Sequence, residues 1–346
     1  MVQVGFDASP LVRPHPRGIQ RVVEETLKAL EARGKIEVVR IVPPDDMQLS
    51  RWRHTVLRKE ARDLAGVHSF LSAFAWRGSG KSVQTIHELP WRHGVRENAD
   101  WRHRLWARIG PLRADAVVTA TEVVARELGR PLATEGGKLH VIPWGVGAPF
   151  AAEPPAGTVD EVVLGRYRLP DCPFALCPGA VREKKNLAAV LRGLARLRSR
   201  DGRDLHLVVT GPDTPQLRRD LGLLRGLGLT GHVSTPGEID AEDLPCLLRL
   251  ASVVPVLSHS EGFGLPVLEA LASGTPVVVP RGSAQSEVAG EHGFTVDAGD
   301  ADSVADGLDA ALQRREELRW TLPERAAEFS WDRTAAAIEA LWEGLA

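Results

Sequence analysis

Short apolar runs alternate with amphipathic stretches along the whole chain. Residues 2–6, 38–42, 67–70, 82–86, 116–119 and 138–142 read as strands in the first half. Residues 19–32, 57–64 and 121–128 carry apolar positions at helical spacing. The clearest set is Ile19, Val22, Val23, Thr26, Leu27 and Leu30, closed by Gly34. The second half repeats the rhythm, with strands at 174–177, 205–210, 232–235, 253–257, 275–280 and 293–296. Its helices are expected at 187–198, 217–227, 243–250, 303–318 and 332–345. Strand–helix alternation of this kind defines the α/β class, with a doubly wound parallel sheet. Residues 147–158, rich in Ala, Pro and Gly, read as a linker. The expected domains are therefore 1–150 and 151–330, with 331–346 a terminal helix.

One stretch combines strand, glycine-rich loop and helix. Ser258-His259-Ser260-Glu261-Gly262-Phe263-Gly264-Leu265-Pro266-Val267-Leu268-Glu269 follows an apolar run, and Pro266 sits where a first helical turn tolerates it. Gly274 stops the helix. Glu269 has two readings. It is an acid near a helix start, favoured by the dipole, or it faces a ligand that the loop's backbone N–H groups approach. A basic turn, Arg182-Glu183-Lys184-Lys185-Asn186, occupies the same strand-to-helix position earlier in this half. It reads as solvated charge or as a set of cations aimed at an anionic leaving group. In the first half, residues 7–18 form the loop at the carboxyl end of the first strand, where open α/β sheets bind ligands. Gly18 there is either a plain helix-start residue or part of that site. His87 ends a strand and reads as a core histidine or a cleft residue.

Composition narrows the classes. The 346 residues suffice for two domains, and a formal net charge of −2 excludes a general nucleic-acid binder. Cys172, Cys177 and Cys246 match no metal or redox spacing and read as buried thiols in a reducing compartment. No apolar run reaches membrane-spanning length, and the chain opens on a strand without a signal-peptide layout, so a cytoplasmic protein is expected. No Asp-x-Asp pair ends a strand, and Asp45-Asp46 lies in a Pro-rich loop, so neither a metal nor a further cofactor is expected.

The 258–279 string with its flanking strands resembles the donor-sugar motif of the retaining glycosyltransferases of family 4. The resemblance implies the GT-B fold, two Rossmann-like domains with parallel sheets facing each other across a cleft. It implies that Glu261, Phe263, Gly264 and Leu265 meet the donor sugar and that Glu269 holds the nucleotide ribose. Thr85-Ile86-His87-Glu88-Leu89 resembles the family's His-Asp stretch, with Glu88 in place of Asp, and implies that His87 contacts the transferred sugar. The basic turn resembles the family's phosphate-binding turn, its lysine matching Lys185. Ala180 stands where many relatives have an arginine, which Arg182 is expected to replace. Gly18 falls at the glycine that lies against donor phosphates or acceptor. The stretch Gly237-Glu238-Ile239 resembles the segment edging the nucleobase. Trp144 departs from the family's usual Asn.

The activity so implied is a metal-independent, retaining sugar transfer from a nucleotide-diphosphate sugar, with donor candidates GDP-mannose, UDP-glucose and UDP-N-acetylglucosamine. The acceptor is a polysaccharide, a lipid-linked sugar or a small metabolite. A nucleotide-sugar epimerase of the same fold and a non-catalytic nucleotide-sugar-binding subunit are the competing readings. Residues 91–113 interleave Trp and Arg. They line an acceptor cleft, touch anionic lipid peripherally, or form a solvated face with Trp101 and Leu105 buried.

Overall fold

The structure, a computed structural model, describes residues 1–13, 15–71, 80–96, 101–129, 137–155 and 160–345. Trp76, the turn at Gly78-Ser79, Glu97, Asp100 and residues 156–159 of the expected linker lie outside them. The chain divides into two compact units, Met1–Gly145 with Phe329–Ala346, and Val146–Glu328.

The first unit is built from β1 (Val2–Asp7), α1 (Ser9–Val12), α2 (Arg17–Arg33), β2 (Ile36–Ile41), α3 (Leu49–Glu60), β3 (Gly66–Ser69) and β4 (Lys81–Thr85). It continues through α4 (Trp101–Arg113), β5 (Ala116–Thr119), α5 (Glu122–Leu128) and β6 (Leu139–Val141). The six strands are all parallel in the order β2-β1-β3-β4-β5-β6. The order reverses beside β1, so its switch point lies where Asp7 pairs Ser69. α2 forms as its spacing predicts: Val22, Val23, Thr26, Leu27 and Leu30 are buried, and Gly34 turns left-handed at φ +62°. α3 lies earlier than 57–64, because Trp52 and Leu57 both reach the core beside Ile41 and Val67. Thr121 caps α5 by accepting from the Val124 N–H at 3.4 Å.

The second unit runs α6 (Glu161–Arg166), β7 (Phe174–Cys177), α7 (Leu187–Asp201), β8 (His206–Thr210), α8 (Pro215–Leu221), β9 (Val233–Gly237) and α9 (Leu244–Leu250). It then runs β10 (Val254–Pro255), α10 (Leu265–Ala272), β11 (Val277–Pro280), α11 (Ala284–Ala289), β12 (Gly293–Val296), α12 (Ala301–Leu318) and α13 (Leu322–Ala327). β7-β8-β9 and β10-β11-β12 are joined by a parallel bridge, Ala175 to Val253, and by the Leu176 N–H donating to the Val253 carbonyl at 3.0 Å. The order across the sheet is thus β9-β8-β7-β10-β11-β12, with its switch point between β7 and β10. α8 stops before the predicted 227, since Gly222, Gly226 and Gly228 weaken continuation. The core packs Leu191, Leu194 and Leu197 of α7 with Val304 and Leu308 of α12. Gly193 permits the approach: a Cβ there would lie 2.1 Å from Val304.

The terminal helix α14 (Trp331–Leu345) belongs to the first unit and packs on α2. Ala335, Ile338 and Trp342 are buried along it. Arg33 at the end of α2 donates to Glu339 at 2.8 Å and to Asp332 at 2.7 Å. The Thr334 hydroxyl donates to the Pro143 carbonyl at 2.7 Å. The cysteines correct the sequence expectation: Cys246 is buried and Cys177 half-buried, but Cys172 is exposed.

A side chain at Gly145 has no room, because its Cβ would fall 2.1 Å from the Trp331 backbone nitrogen. Gly145→Ala is therefore expected to destabilise the first unit by about 1–3 kcal/mol, read from urea unfolding. An unchanged midpoint would show that α14 does not close against this strand end.

Candidate active site

The site in the second unit is set by two chain segments at the carboxyl ends of β7 and β10. After β7 the backbone turns through Gly179 at φ +87°, whose N–H donates to the Thr210 hydroxyl at 3.0 Å. Arg182 is extended and half-buried, and Glu183–Lys185 make one 3₁₀ turn. Asn186 takes the left-handed conformation at φ +53°, which Asn tolerates better than most residues. Its side-chain amide donates to the Leu257 carbonyl at 3.2 Å, and the His259 N–H donates to the Lys184 carbonyl at 2.8 Å. These two bonds stitch the basic turn to the glycine-rich loop.

The stitching delivers Lys185 and Lys184 to one carboxylate. Lys185 Nζ donates to Glu261 Oε1 at 2.6 Å, Lys184 Nζ lies 3.6 Å from Oε2, and the Ser258 hydroxyl donates to Oε1 at 3.1 Å. Burial pushes the Glu261 pKa up, but the two ammonium charges and these hydrogen bonds together override it and hold the carboxyl down at about 2. The two ammonium groups and the carboxylate form one charged cluster. It borders a crevice at the switch point, lined by Cys177, Gly179, Val181, Lys185, Ser258 and Pro266. Burial pushes the Cys177 thiol up to about 12, against the opposing pull of Lys185.

Gly264 begins α10 at φ +103°, a conformation that favours glycine. Phe263 and Glu269 are both buried. The first turn of α10 carries no acidic residue, so the dipole does not account for Glu269, which sits a turn further in. Gln285 on α11 supports the loop, donating to the Ser258 carbonyl at 3.2 Å. Leu265 is the first residue of α10, and Ile239 is buried just beyond β9.

In the first unit, His87 Nε2 bonds the Phe70 carbonyl at 2.7 Å. A carbonyl only accepts, so Nε2 carries the proton. The His87 ring lies 5.9 Å from that of Trp144, which is buried. Gly18 is exposed within the first turn of α2. Trp101 and Leu105 are not buried as one reading of 91–113 expected; they are 69% and 44% exposed. Sequence reasoning counted Lys184 among the cations of the basic turn but assigned no role to Ser258, Asn186 or Gln285. It also passed over Asp7, fully buried at the switch point, with Arg53 Nε 3.5 Å from its Oδ2. Among the described residues, no three or more His, Cys, Asp or Glu side chains gather to hold a metal ion.

Two parallel doubly wound units, one with a lysine-bound glutamate at its switch point, define the class of GT-B proteins. The fold is that of a sucrose-phosphate synthase from Thermosynechococcus elongatus, at a TM-score of 0.80 and 20% identity over 100% of this chain and 99% of that one. Anabaena HepE, solved in complex with UDP and glucose, matches at 0.76 and 14% identity over the whole of both chains. Residues 168–329 match the family model described as glycosyl transferases group 1. A D-inositol 3-phosphate glycosyltransferase from Nocardia farcinica is 30% identical over 86% of this chain and 72% of its own length. An MMP alpha-(1->4)-mannosyltransferase from Mycolicibacterium hassiacum is 32% identical over 66% of this chain, but only 53% of its own length is spanned. The chain belongs to the group 1 glycosyltransferase family.

Acid should weaken the two units in different windows. His68, fully buried, has its pKa lowered from 6.5 to about 3 by burial and by His87. Its contribution is complete above the unfolded value and is lost as pH falls from about 6.5 towards 3. Glu261 contributes fully above its ordinary 4.5 and loses that contribution as pH falls towards 2. Hydrogen exchange through an acid titration should therefore show the first unit loosening before the second. Glu261→Gln should lose up to about 3 kcal/mol relative to the wild type at neutral pH, and much less near pH 2. A difference independent of pH would remove the ionised carboxylate from the account.

Proposed function

We propose that the protein is a retaining glycosyltransferase. It moves a hexose from a nucleotide-diphosphate sugar, of GDP-mannose or UDP-hexose type, to an acceptor hydroxyl without a metal ion. The observation that carries this reading is the lysine cluster at the second unit's switch point, where Lys184 and Lys185 close on Glu261. As the bond from the anomeric carbon to the phosphate oxygen breaks, negative charge grows on the diphosphate. Fixed cations lower that barrier because they bind the transition state more tightly than the ground state. Lys185 and Lys184, with Arg182 beside them, supply the charge that a divalent ion supplies elsewhere.

In this reading Glu261 serves twice. It holds the lysines in place before the donor arrives, and afterwards accepts hydrogen bonds from sugar hydroxyls beside the Phe263, Gly264 and Leu265 backbone. Glu269 takes the ribose hydroxyls and the backbone at Ile239 edges the base. Gly18 and His87, on the other unit, keep the roles that the family resemblance implies. The acceptor oxygen bonds the anomeric carbon on the face the phosphate leaves. Its proton passes to the departing phosphate oxygen, giving the nucleoside diphosphate and a retained linkage. No carboxylate stands out in the sequence as a nucleophile of the kind retaining hydrolases use. The acceptor is a carbohydrate, a lipid-linked sugar or a small molecule, and the protein works in the cytoplasm. The relatives' names make mannose donors and a phosphorylated inositol the first compounds to try.

A thermal-shift screen over nucleotide sugars selects the donor, since a ligand that binds only the folded state raises the melting point. Acceptor-dependent nucleotide release then tests the transfer, and activity should survive EDTA. Release without an acceptor would favour the epimerase, and binding without release the non-catalytic subunit. Lys185→Ala should lower turnover by roughly a hundredfold or more, with the donor's thermal shift largely kept. Glu269→Ala should weaken donor binding roughly tenfold or more in a folded protein. Full activity in the first variant would remove Lys185 from the reaction, and unchanged donor affinity in the second would remove the ribose role.

A further inference from the structure

We infer that Tyr167 is a positioning residue for the nucleobase end of the donor site, acting through the main chain of residues 237–240. Its role rests on the donor reading proposed above, to which it adds a residue that no motif marks. Tyr167 is the only tyrosine in the chain. It caps the carboxyl end of α6, where its N–H donates to the Val163 carbonyl at 3.2 Å. Arg168 then turns left-handed at φ +53°, a conformation that residues other than glycine seldom take. The phenol reaches the connection between β9 and α9. Its hydroxyl donates to Asp243 Oδ2 at 2.7 Å and accepts from the Asp240 N–H at 3.1 Å. Asp243 is buried, and Arg166 Nη1 donates to the same oxygen at 2.6 Å. A carboxylate can only accept, so the phenolic hydrogen points to it and an oxygen lone pair is left for the Asp240 N–H.

Holding α6 on α9 does not by itself require this bond. The other end of α6 is already fixed there, where Arg249 grips Asp160 at 2.6 and 2.7 Å. What the phenol adds is a grip on the segment leaving β9. That segment is fastened at its start, where the Gly237 carbonyl accepts from the Gly211 N–H at 2.7 Å. At its end the Asp240 carbonyl accepts from the Asp243 and Leu244 N–H groups at 3.0 and 3.2 Å. The Asp240 N–H and the Ile239 carbonyl belong to one peptide unit, which is planar and trans. Holding the N–H on the phenol therefore sets the direction of the carbonyl, which points the opposite way. Uracil and guanine each carry a ring N–H that such an acceptor can meet. An acceptor already oriented costs less to order when a ligand arrives. The clamp thus acts on base affinity and leaves the diphosphate and sugar contacts alone.

Titration calorimetry on the full chain, as wild type and as Tyr167→Phe, measures the affinities of UDP, GDP and pyrophosphate. The nucleotide that the wild type prefers should bind the variant roughly fivefold or more weakly, as loss of a hydrogen bond gives. Pyrophosphate, which has no base, should bind both proteins equally. In the transfer assay the donor KM should rise by the same factor, and kcat should change by less than roughly twofold. Hydrogen exchange at the Asp240 amide should quicken in the variant, while the Lys184–Asn186 turn exchanges as in the wild type. Asp243→Ala should act in the same direction, and Asp243→Asn, which still accepts from the phenol, should recover most of the affinity so lost. Equal nucleotide affinity in wild type and Tyr167→Phe would overturn the inference alone, as would a matching loss of pyrophosphate affinity. A wild type that binds neither nucleotide would overturn the donor reading, and the inference with it.

Discussion

An ionised carboxylate with little access to water must be neutralised locally, and in the second unit that requirement ties the site together. Glu261 is 13% exposed as a side chain, and two lysines and a serine hydroxyl converge on it. Removing one partner of such a cluster strands charge in a poorly solvated place, which costs several kcal/mol. The requirement thereby fixes the backbone of two segments far apart in sequence. Another buried pair shows the difference between holding a fold and preparing a site. Arg249 grips both oxygens of Asp160, at 2.6 and 2.7 Å, and the pair balances one charge against one. At Glu261 two lysines share one carboxylate, and the cluster lies beside a crevice where the sheet order reverses.

That placement follows from topology. β7 and β10 are neighbours, but the chain leaves β7 towards β8 and leaves β10 towards β11, on opposite sides of the sheet. The loops at their carboxyl ends diverge, and a gap opens that neither closes. β10 is only two residues long. Its short ladder leaves residues 256–264 to shape the loop, and there Ser258 and Glu261 become ligands of the lysines.

The layout of both sheets was legible in the chain because parallel strands buried on both faces are unbroken apolar runs, and the helices between them keep clean spacing. The misreadings have physical causes. Trp52 sits between Arg51 and Arg53, so the start of α3 shows no clean apolar spacing although its indole lies in the core. The glycines after Leu221 ended a helix whose leucines continue to suggest one. In the site, Glu261 and Lys185 were each legible from their motifs, but their contact spans 76 positions and no local pattern carries it. Lys184 was harder still. A lysine in a run of charges reads as solvated, yet it is 5% exposed. The one signal was Asn186, a residue that accepts a left-handed turn at the point where the run must fold back.

Trp144 shows how a departure from a family pattern is decided by burial. Read in sequence, a tryptophan in place of an asparagine either reshapes an acceptor pocket or is incidental. In the structure it is 2% exposed and tilted against the His87 ring. Side chains that deep do not present a new surface to a ligand; they brace what lies next to them. His87 is already held from one direction by its bond to the Phe70 carbonyl, which fixes the proton on Nε2. Trp144 restricts the ring from another. The bonded nitrogen is thereby assigned and the tilt of the imidazole is limited by packing. The substitution therefore acts on the orientation of the histidine, and through it on whatever the histidine meets.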